Sequence, residues 1–540
     1  MGRMNDFGPW FLYRDHTIIK EELNSLLPLQ FFCLNFLEPM NTNEYLKQIR
    51  SAFFFMAIGF LFVGLFSCKK NPASGNNPPP IDTIPSTTVF DINSIHDTYE
   101  DVAPFSSYQK WASYNVHDPS IKKFGNYYYC YSTDAAYGTD VRPGIQIRKS
   151  KDLVEWTYVG WVFNSLPSQG SQFILSKGGT PFNSLWAPYV LKLNNEYRLY
   201  YSLSCSTPRL SVIGLATAAN PEGPWTEKGL VVTSVNDNTR QTNAIDPTVV
   251  ITNTGEEYLY YGSAWDGIYL LKLDATTGLA QSPGDKGTRI ANRGYTNGKY
   301  NGNIEGAEII YNSTLGKYFL FIAYDWLQTK YNTRVCRADN PTGPFYDYQG
   351  LDANSDVDHL PMITAPYQFM GHGGWQGISH CTVFTDDNGN YFFASQARPS
   401  VNSYFMDLHV RKIFWTQDGW PVVSPERYAW EDNSTVPKDS VIGNWEQIIL
   451  GYHVVPGYAN EQTSPDLQSA ISLSIAADGS LNGDVNNKWT YSAPWLEFKW
   501  SNGYTDKIFV QKGRDWENKK NTIVFSGLNN AGTAIWGKKK

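Results

Sequence analysis

The sequence predicts an all-β protein, a five-bladed β-propeller followed by a small C-terminal β-barrel or β-sandwich domain. The first observation is a hairpin pattern that recurs five times between residues 88 and 435. The second is a separate series of short alternating strands between residues 441 and 540. A chain of 540 residues, of which 42% are hydrophobic, is longer than one ordinary domain and can fill two cores.

Each copy of the repeat is an apolar run, a polar turn and a Tyr-rich strand whose residues alternate. The copies begin about 60 to 75 residues apart, at Ile121, Val190, Val249, Ile309 and Cys381. This spacing suits four-stranded blades with long connections. Because the innermost strand of each propeller blade lines a central axis, the residues that open these strands are expected to converge there.

The C-terminal region contains short alternating runs at residues 471–475, 495–500 and 522–525. Such runs are typical of a compact all-β domain of about one hundred residues. The region contains no evident acid–base constellation. Its sequence leaves two roles open, support of the propeller and help in gripping a polymer.

The N-terminus has the features of an export signal. Lys47 and Arg50 precede an apolar run at residues 52–66, which is short for a membrane span. The run ends in Leu-Phe-Ser-Cys at Cys68, which resembles a bacterial lipobox and implies acylation of that cysteine. The alternative is a short uncleaved anchor helix, and both interpretations place the folded part outside the cytoplasm.

These features divide the N-terminal region into two segments. Residues 1–68 are predicted to be a leader and lipoprotein signal whose true start is Met40, and residues 69–87 a flexible tether. The expected location is a bacterial membrane, with the lipid as the only membrane contact. The outer membrane is expected, with the protein facing the periplasm or the cell surface.

The composition argues against nucleic acid as a partner. The net charge is −7, the isoelectric point is about 5.7, and the longest basic run is the three terminal lysines. The 18 Trp, 35 Tyr and 29 Phe could stack on sugar rings, although buried strands use the same residues. Four cysteines follow Cys68 without C-x-x-C spacing, so buried free thiols are expected and a disulfide is the alternative. We expect a monomer.

Three acidic residues lie where apolar strands begin: Asp118 in VHDPS, Asp246 in NAIDPTVV and Glu305 in GNIEGAEII. Cutting a glycosidic bond requires a carboxylate that activates water and a carboxylic acid that protonates the leaving oxygen. A third carboxylate can set the pKa of the acid. Trp186 and His380 open the second and fifth hairpins in an equivalent way. The repeat therefore predicts that these side chains meet at the propeller axis.

The order and spacing of His-Asp-Pro, Ile-Asp-Pro and Glu-Gly resemble glycoside hydrolase family 43, and within it the endo-1,5-α-L-arabinanases. The similarity runs over residues 111–430, and the C-terminal tail is similar to the β-barrel domain of two-domain arabinanases. The resemblance implies endo-acting hydrolysis of α-1,5-linked L-arabinofuranosyl bonds in arabinan, with inversion of the anomeric centre. Inversion requires the base and acid carboxyls to lie about 6.5 to 9.5 Å apart, so that a water fits between them.

The resemblance also implies the catalytic roles. Asp118 matches the general base, Glu305 the general acid, and Asp246 the carboxylate that orients the acid and raises its pKa. Glu308 is the alternative acid. A residue three positions further along an extended strand faces the opposite side, which favours Glu305.

A cation site is implied in the same way. His380 matches a histidine that lies beside a bound cation, assigned as Ca²⁺. Since calcium prefers oxygen ligands, water is expected to complete most of its shell. The alternative for His380 is a hydrogen-bonded core residue, and His117 and His372 are expected to be structural or to support the site.

Four residues match positions that line the central sugar subsites in the family: Trp186, Asn243, Ser263 and Trp265. The alternative for them is loop packing. Tyr189 departs from the family pattern, in which an acidic residue is typical at this position. The departure puts the local hydrogen-bond network in doubt and leaves the catalytic assignment unchanged.

Three other functions compete with this one. Groove shape decides between endo and exo action, so an exo-acting arabinofuranosidase or β-xylosidase of the same family is the first alternative. A non-catalytic glycan-binding surface lipoprotein is the second, although a binder has no need for three carboxylates at strand starts. A retaining fructan hydrolase on a similar propeller would require Asn-Asp-Pro where this chain has His-Asp-Pro.

Overall fold

The computed structural model describes residues 89–138, 140–296, 298–356, 361–451 and 466–540. The predicted leader at residues 1–68, including Met40 and Cys68, and the predicted tether at 69–87 lie outside the described residues. In the part of the chain that is described, no helix is both long and apolar enough to cross a membrane.

The first half of the chain forms antiparallel sheets of four strands, which pair in sequence order. Two 3₁₀ turns, Ile92–Ser94 and Phe105–Lys110, come first. The first sheet contains β1 (Ser120–Phe124), β2 (Tyr127–Ala135), β3 (Val141–Ser150) and β4 (Trp156–Trp161). Helix α1 (Ser168–Ser176) follows it. The second sheet contains β5 (Trp186–Leu193), β6 (Glu196–Ser204), β7 (Ser211–Ala218) and β8 (Thr226–Ser234).

Two further sheets have the same pairing. The third contains β9 (Thr248–Ile251), β10 (Glu257–Tyr261), β11 (Ile268–Leu273) and β12 (Thr288–Ala291). A small hairpin of β13 (Tyr295–Thr296) and β14 (Lys299–Tyr300) separates it from the fourth. The fourth contains β15 (Ile304–Asn312), β16 (Lys317–Tyr324), β17 (Asn332–Ala338) and β18 (Met362–Thr364). Sheets of this kind are the blades of a propeller.

Six strands complete the propeller region: β19 (Tyr367–Gln368), β20 (Trp375–Gln376), β21 (Thr382–Thr385), β22 (Tyr391–Pro399), β23 (Asp407–Trp415) and β24 (Pro421–Val423). A short helix α2 (Lys438–Val441) leads into a closed eight-stranded barrel, as the sequence predicts. Its strands are β25 (Gly443–Ile449), β27 (Ile471–Ile475), β28 (Ser480–Leu481), β29 (Asp484–Ser492), β30 (Trp495–Lys499), β31 (Thr505–Asp515), β32 (Lys520–Asn529) and β33 (Ala534–Lys539).

The blade count differs from the prediction of five, because four separate four-stranded sheets are present in the described residues. Strands β21 to β24 pair in order but belong to a seven-stranded sheet that also contains β20, β19 and β26 (Gln468–Ser469). Strand β26 comes from the C-terminal region and pairs in parallel with β19. The periodic pattern could not indicate this extension because β26 is far away in the sequence.

The Tyr-rich strands form the propeller core. Tyr200, Tyr201, Tyr260 and Tyr261 are fully buried in the second and third sheets. The aromatic residues that fill these strands are therefore structural, as expected for buried strands. The cysteines Cys130, Cys205, Cys336 and Cys381 are buried free thiols, as predicted.

Candidate active site

A residue in the left-handed backbone region recurs at the start of β1, β5, β9, β15 and β21. The five residues, with φ between +35° and +61°, are Asp118, Ala187, Asp246, Gly306 and His380. Non-glycine residues adopt this conformation rarely, and such positions cluster at functional sites. Trp186 and Glu305 each precede this position by one residue, so the equivalence with Asp118 expected for them is off by one.

Asp118 is held by groups from two sheets. Its Oδ2 accepts a 2.7 Å hydrogen bond from Thr133 Oγ1, and its backbone N–H donates to Gln396 Oε1 at 2.9 Å. Nδ1 of His380 lies 3.0 Å from Oδ1, and Nδ1 of His117 lies 2.6 Å from Oδ2. The His117 contact lacks hydrogen-bond geometry, and its effect on the carboxylate is electrostatic.

These contacts decide the ionisation of the pair. Burial by itself would raise the pKa of Asp118, but the charges of His117 and His380 outweigh it and hold that pKa well below its usual range. For His380, burial lowers the pKa, and the carboxylates of Asp118 and Asp246 raise it to about 9. At neutral pH, Asp118 is therefore a carboxylate beside a histidinium.

Asp246 has the same backbone conformation and the opposite ionisation behaviour. Its backbone N–H donates to Ser202 Oγ at 3.0 Å, and its Oδ2 accepts a 3.2 Å hydrogen bond from the N–H of Gly306. Burial is the main cause that raises the pKa of Asp246 to about 7; His380 opposes it and Glu305 adds to it. The carboxyl group of Asp246 therefore takes up and releases a proton near neutral pH.

Glu305 is buried and both of its carboxyl oxygens have hydroxyl partners. Ser263 Oγ lies 2.7 Å from Oε2, and the Tyr331 hydroxyl lies 2.8 Å from Oε1. Burial, followed by the nearby carboxylates, raises the pKa of Tyr331 well above its usual range, so this residue stays a neutral phenol. Ser263, which the family resemblance assigned to sugar contact, holds the carboxyl group of Glu305.

Gly306 on β15 lets this strand lie close to His380, which precedes β21. Its φ is +58°, and a Cβ at this position would lie 2.9 Å from Cγ of His380. Any larger residue would displace the imidazole from Asp118. In the Glu-Gly dipeptide, Glu305 therefore supplies a carboxyl group, and Gly306 leaves space for the imidazole of His380.

Glu308 lies elsewhere on the same strand and has a different role. Its Oε2 accepts from Thr248 Oγ1 at 2.9 Å, and its Oε1 accepts from the N–H of Val383 at 3.1 Å. Lys122 Nζ lies 3.6 Å from Oε1. Glu308 thus joins β1, β9 and β21 to β15 through an ammonium group, a hydroxyl and a backbone N–H, which is a structural role. This environment supports Glu305 rather than Glu308 as the acid.

The remaining residues predicted to contact sugar lie at the start of β5, in the loop before β9 and in the loop after β10. Trp186 is half-buried and stacks on Phe182, with ring centroids 5.4 Å apart and planes inclined by 28°. Asn243 Oδ1 accepts a weak 3.4 Å hydrogen bond from Ser234. Trp265 is half-buried with a left-handed backbone, φ +39°. Trp186 and Phe182 present a partly exposed aromatic surface of the kind that stacks on a sugar ring.

His380 could bind a cation through only one nitrogen. Nδ1 faces Asp118, and in the described part of the chain Nε2 has no protein hydrogen-bond partner. A hard cation bound at Nε2 would need water for most of its shell, since calcium takes six to eight oxygen ligands. The donor set therefore fits a water-completed cation and does not form an all-protein calcium cage.

A convergent acidic group lies at the contact between the propeller region and the barrel, and not at this site. It consists of Glu426, Asp515 and Glu517. Lys538 Nζ lies 2.9, 3.1 and 2.5 Å from their respective oxygens and neutralises part of their charge. His372 lies beside the same group, 4.0 Å from Glu517, which agrees with the structural role predicted for it.

Three residues of the site were not identified from the sequence. Thr133 bridges Asp118 and the N–H of Ala187, and it lies in a Tyr-rich strand that reads as core. Gln396 lies in the second strand of the fifth hairpin. Tyr331 lies in a loop with no motif. The alternation in β2 and β22 could have indicated that Thr133 and Gln396 face inward, but nothing local indicates Tyr331.

Comparisons with protein families give two matches on this chain. The model of glycosyl hydrolases family 43 matches residues 112–421, which is more than half of the chain. The model of a C-terminal lipocalin-like domain matches residues 425–537. The two matches correspond to the propeller region and the barrel.

Individual proteins agree with these matches. The chain is 28% identical over 469 residues to an extracellular endo-α-(1→5)-L-arabinanase of Thermotoga petrophila, covering 79% of this chain and 94% of the relative. It is 29% identical over 321 residues to an extracellular exo-α-(1→5)-L-arabinofuranosidase of Cellvibrio japonicus, covering 57% and 86%. The crystal structure of an endo-1,5-α-L-arabinanase from Thermotoga petrophila matches with a TM-score of 0.68 at 27% identity, covering 80% of this chain and 99% of that one.

Proposed function

We propose that this chain, which belongs to glycosyl hydrolases family 43, hydrolyses α-1,5-linked L-arabinofuranosyl bonds inside arabinan chains, with inversion. The observation that carries the proposal is the opposite ionisation of two buried aspartates beside one glutamate. Asp118 stays a carboxylate, while burial raises the pKa of Asp246 to about 7 in the region of Glu305. A site with one ionised carboxylate and one retained proton is what general base and general acid catalysis together require.

The roles follow from these environments. Asp118 accepts a proton from the attacking water, and Glu305 donates a proton to the leaving oxygen. Asp246 and Glu305 retain a proton because two neighbouring anions are unfavourable, and Asp246 assists catalysis when it leaves that proton on Glu305. Trp186, Asn243 and Trp265 contact the sugar rings.

Endo action is favoured over exo action by the extent of the similarity. The two relatives that align along 79% of this chain, from Thermotoga petrophila and Bacillus subtilis, are both endo-α-(1→5)-L-arabinanases, whereas the exo-acting relative aligns along 57%. The exo-acting arabinofuranosidase or β-xylosidase is the second candidate. Size separation of products from debranched arabinan distinguishes them, since endo action releases oligosaccharides early and exo action releases single sugars.

The first prediction concerns Glu305→Gln, which retains the shape of the side chain and removes its acidity. We expect a loss of about two to four orders of magnitude in kcat on arabinan, because acid assistance contributes that much. Glu308→Gln is the matched control, since it changes a buried glutamate on the same strand and should remain active. Equal rates for Glu305→Gln and the wild type would contradict the assigned acid role, and no turnover by the wild type would support the non-catalytic glycan-binding alternative.

We also propose that β21 to β24 act as the fifth blade. The N–H of Ile121 in β1 donates to Thr382 Oγ1 at 3.3 Å, and the N–H of Val383 donates to Glu308 in β15. Strand β21 is thus bonded to the innermost strands of the first and fourth sheets, which supports a closed ring. A crystal structure in which β21 to β24 lie outside the ring, so that the first and fourth sheets pack face to face, would contradict this.

A calcium ion at His380 is proposed on the donor set alone. His380 Nε2 would be its protein ligand and water would supply the rest. When bound, the cation would supply positive charge beside Asp118 in place of the histidinium proton. Calorimetric titration of the wild type and His380→Ala with Ca²⁺ tests the site, and equal binding by both would contradict it.

Export and lipid anchoring complete the proposal. The relatives named above are extracellular enzymes, and Cys68 follows an apolar run and precedes a polar tether. We place the protein on the outer membrane as a monomer that acts on arabinan and arabino-oligosaccharides. Mass spectrometry of the mature N-terminus would test acylation of Cys68, and sedimentation analysis would test the monomer.

A further inference from the structure

Two adjacent residues in the loop between β16 and β17 point to different parts of the molecule. The hydroxyl of Tyr331 donates to Glu305 Oε1 at 2.8 Å. The ammonium group of Lys330, which is 2% exposed, forms an ion pair with Asp466. Asp466 belongs to the C-terminal region and lies two residues before β26. Asp466 and Glu305 therefore contact two neighbouring residues of the same loop, Lys330 and Tyr331.

The ends of this loop are fixed by the propeller itself. Asp325 forms a fully buried 2.8 Å ion pair with Arg293 and accepts a 2.7 Å hydrogen bond from Asn332 Nδ2. In the middle of the loop, a Cβ built on Gly377 would lie 2.7 Å from the carbonyl oxygen of Leu327, so the loop packs closely on that glycine. The ion pair between Lys330 and Asp466 connects this loop to the C-terminal region.

The segment that carries Asp466 has a defined place. Strand β26 pairs in parallel with β19, with Tyr367 opposite Gln468. The N–H of Gln468 donates to the carbonyl oxygen of Pro366 at 2.9 Å, and the N–H of Ala470 donates to that of Gln368 at 2.9 Å. These backbone bonds hold Asp466 against the propeller.

We propose that Asp466 is a positioning residue for the catalytic acid. By pairing with Lys330, it fixes the adjacent Tyr331, whose hydroxyl orients Glu305 and biases its ionisation. The inference rests on the proposed function of Glu305 as the acid. It gives the C-terminal region a direct part in the chemistry, beyond general support of the propeller.

The physical reason is the cost of a buried ammonium group. Removal of the Asp466 carboxylate weakens the compensation for burying this charge, which favours a shift of Lys330. A shift at Lys330 moves Tyr331, the next residue. A phenol that donates to a carboxyl group favours the ionised form of that group. Loss of this hydrogen bond favours the protonated acid and also loosens its orientation.

The test is Asp466→Asn in the full-length protein. We expect kcat on debranched arabinan to fall about tenfold to a hundredfold, because misplacement of a catalytic group by about 1 Å has this effect. KM should change little, since no sugar contact is altered. The basic limb of the pH profile of kcat should move to higher pH, because a more readily protonated acid stays active further into the alkaline range.

Controls separate positioning from stability. Asp466→Glu should restore most of kcat and the wild-type basic limb. Asp432→Asn removes an exposed ion pair with Lys512 at 3.0 Å, far from Glu305, and should leave both unchanged. If Asp466→Asn lowers only the melting temperature and leaves the pH profile in place, Asp466 is structural and the inference is wrong.

A double-mutant cycle with Tyr331→Phe identifies the route. Tyr331→Phe should move the basic limb in the same direction, and adding Asp466→Asn should have little further effect on kcat, because both changes act through one hydrogen bond. Additive losses would overturn the inference. An inactive wild type, or a Glu305→Gln variant as active as the wild type, would contradict the proposed function itself. An active wild type with an unaltered Asp466→Asn variant contradicts only this inference.

Discussion

At the scale of single residues, the site depends on how two aspartates in similar motifs acquire opposite properties. Both precede a proline and both have a left-handed backbone. Asp118 faces His117 and His380, so its pKa is depressed, whereas burial raises that of Asp246 to about 7. The environment of each carboxyl group, and not its motif, therefore decides which one can act as a base.

A residue-scale prediction concerns Gly306→Ala. The new Cβ would lie 2.9 Å from the imidazole of His380 and would force a left-handed alanine. We expect a loss of about 2 to 4 kcal/mol in the free energy of unfolding, from backbone strain and overpacking together. Urea denaturation measures it, and kcat should fall because His380 is displaced from Asp118.

The matched control is Gly125→Ala. Gly125 has almost the same φ of +59°, and a Cβ there would meet nothing within 4 Å. It should lose only the strain component, about 1 kcal/mol, and keep full activity. If both variants were destabilised equally, the contact with His380 would not be the cause.

At the scale of elements, the innermost strands are joined by side chains as well as by packing. Glu308 on β15 accepts hydrogen bonds from β9 and β21 and lies near Lys122 on β1. Tyr189 on β5, where the family pattern has an acidic residue, packs under the Lys122 ammonium group with 4.9 Å between Nζ and the ring centroid. Lys122 on β1 therefore contacts a carboxylate on β15 and an aromatic ring on β5.

The element-scale prediction is that Glu308→Gln destabilises the propeller without abolishing catalysis. It removes the charge that faces Lys122 and one acceptor from Thr248. A loss of about 2 kcal/mol in the free energy of unfolding is expected for a buried network of this kind. Thermal or urea unfolding would measure it.

Glu256→Gln is the control for that experiment. Glu256 forms an exposed ion pair with Lys272 at 2.8 Å. Exposed pairs contribute little to stability, so no measurable change is expected. Loss of activity in Glu308→Gln at temperatures where it remains folded would contradict the structural role and reopen Glu308 as the acid.

At the scale of the whole molecule, propeller and barrel share a core. One apolar cluster contains Phe319 and Trp375 of the propeller region together with Ile448 and Trp536 of the barrel. Phe414 and Phe509 also stack across the contact, with centroids 4.5 Å apart. The two regions are therefore expected to unfold together rather than independently.

A whole-molecule prediction concerns Lys538→Met. The lysine is 2% exposed and faces Glu426, Asp515 and Glu517. Its loss leaves three carboxyls close together, those of Glu426 and Asp515 buried, so about 3 to 5 kcal/mol should be lost at neutral pH. Denaturation followed by tryptophan fluorescence measures this, and Lys512→Met, which breaks an exposed pair, should change little.

The penalty should depend on pH in a defined direction. Burial and Glu517 raise the pKa of Glu426 well above its usual range even with Lys538 present, so its protonated form favours the folded state. Stability of Lys538→Met should therefore recover as the pH falls through that raised pKa. A penalty that grows as the pH falls would contradict this account.

The sequence by itself determined the hairpin repeat, the all-β class, the barrel and the identity of the candidate acids, because strand alternation and turn chemistry are local properties. It could not indicate that Thr133 and Gln396 hold Asp118, that Tyr331 contacts Glu305, or that β26 joins a propeller sheet. Only the tertiary structure decided these, since they join residues far apart in the chain. It also decided which aspartate is ionised, because a pKa depends on burial and on charges that approach through space.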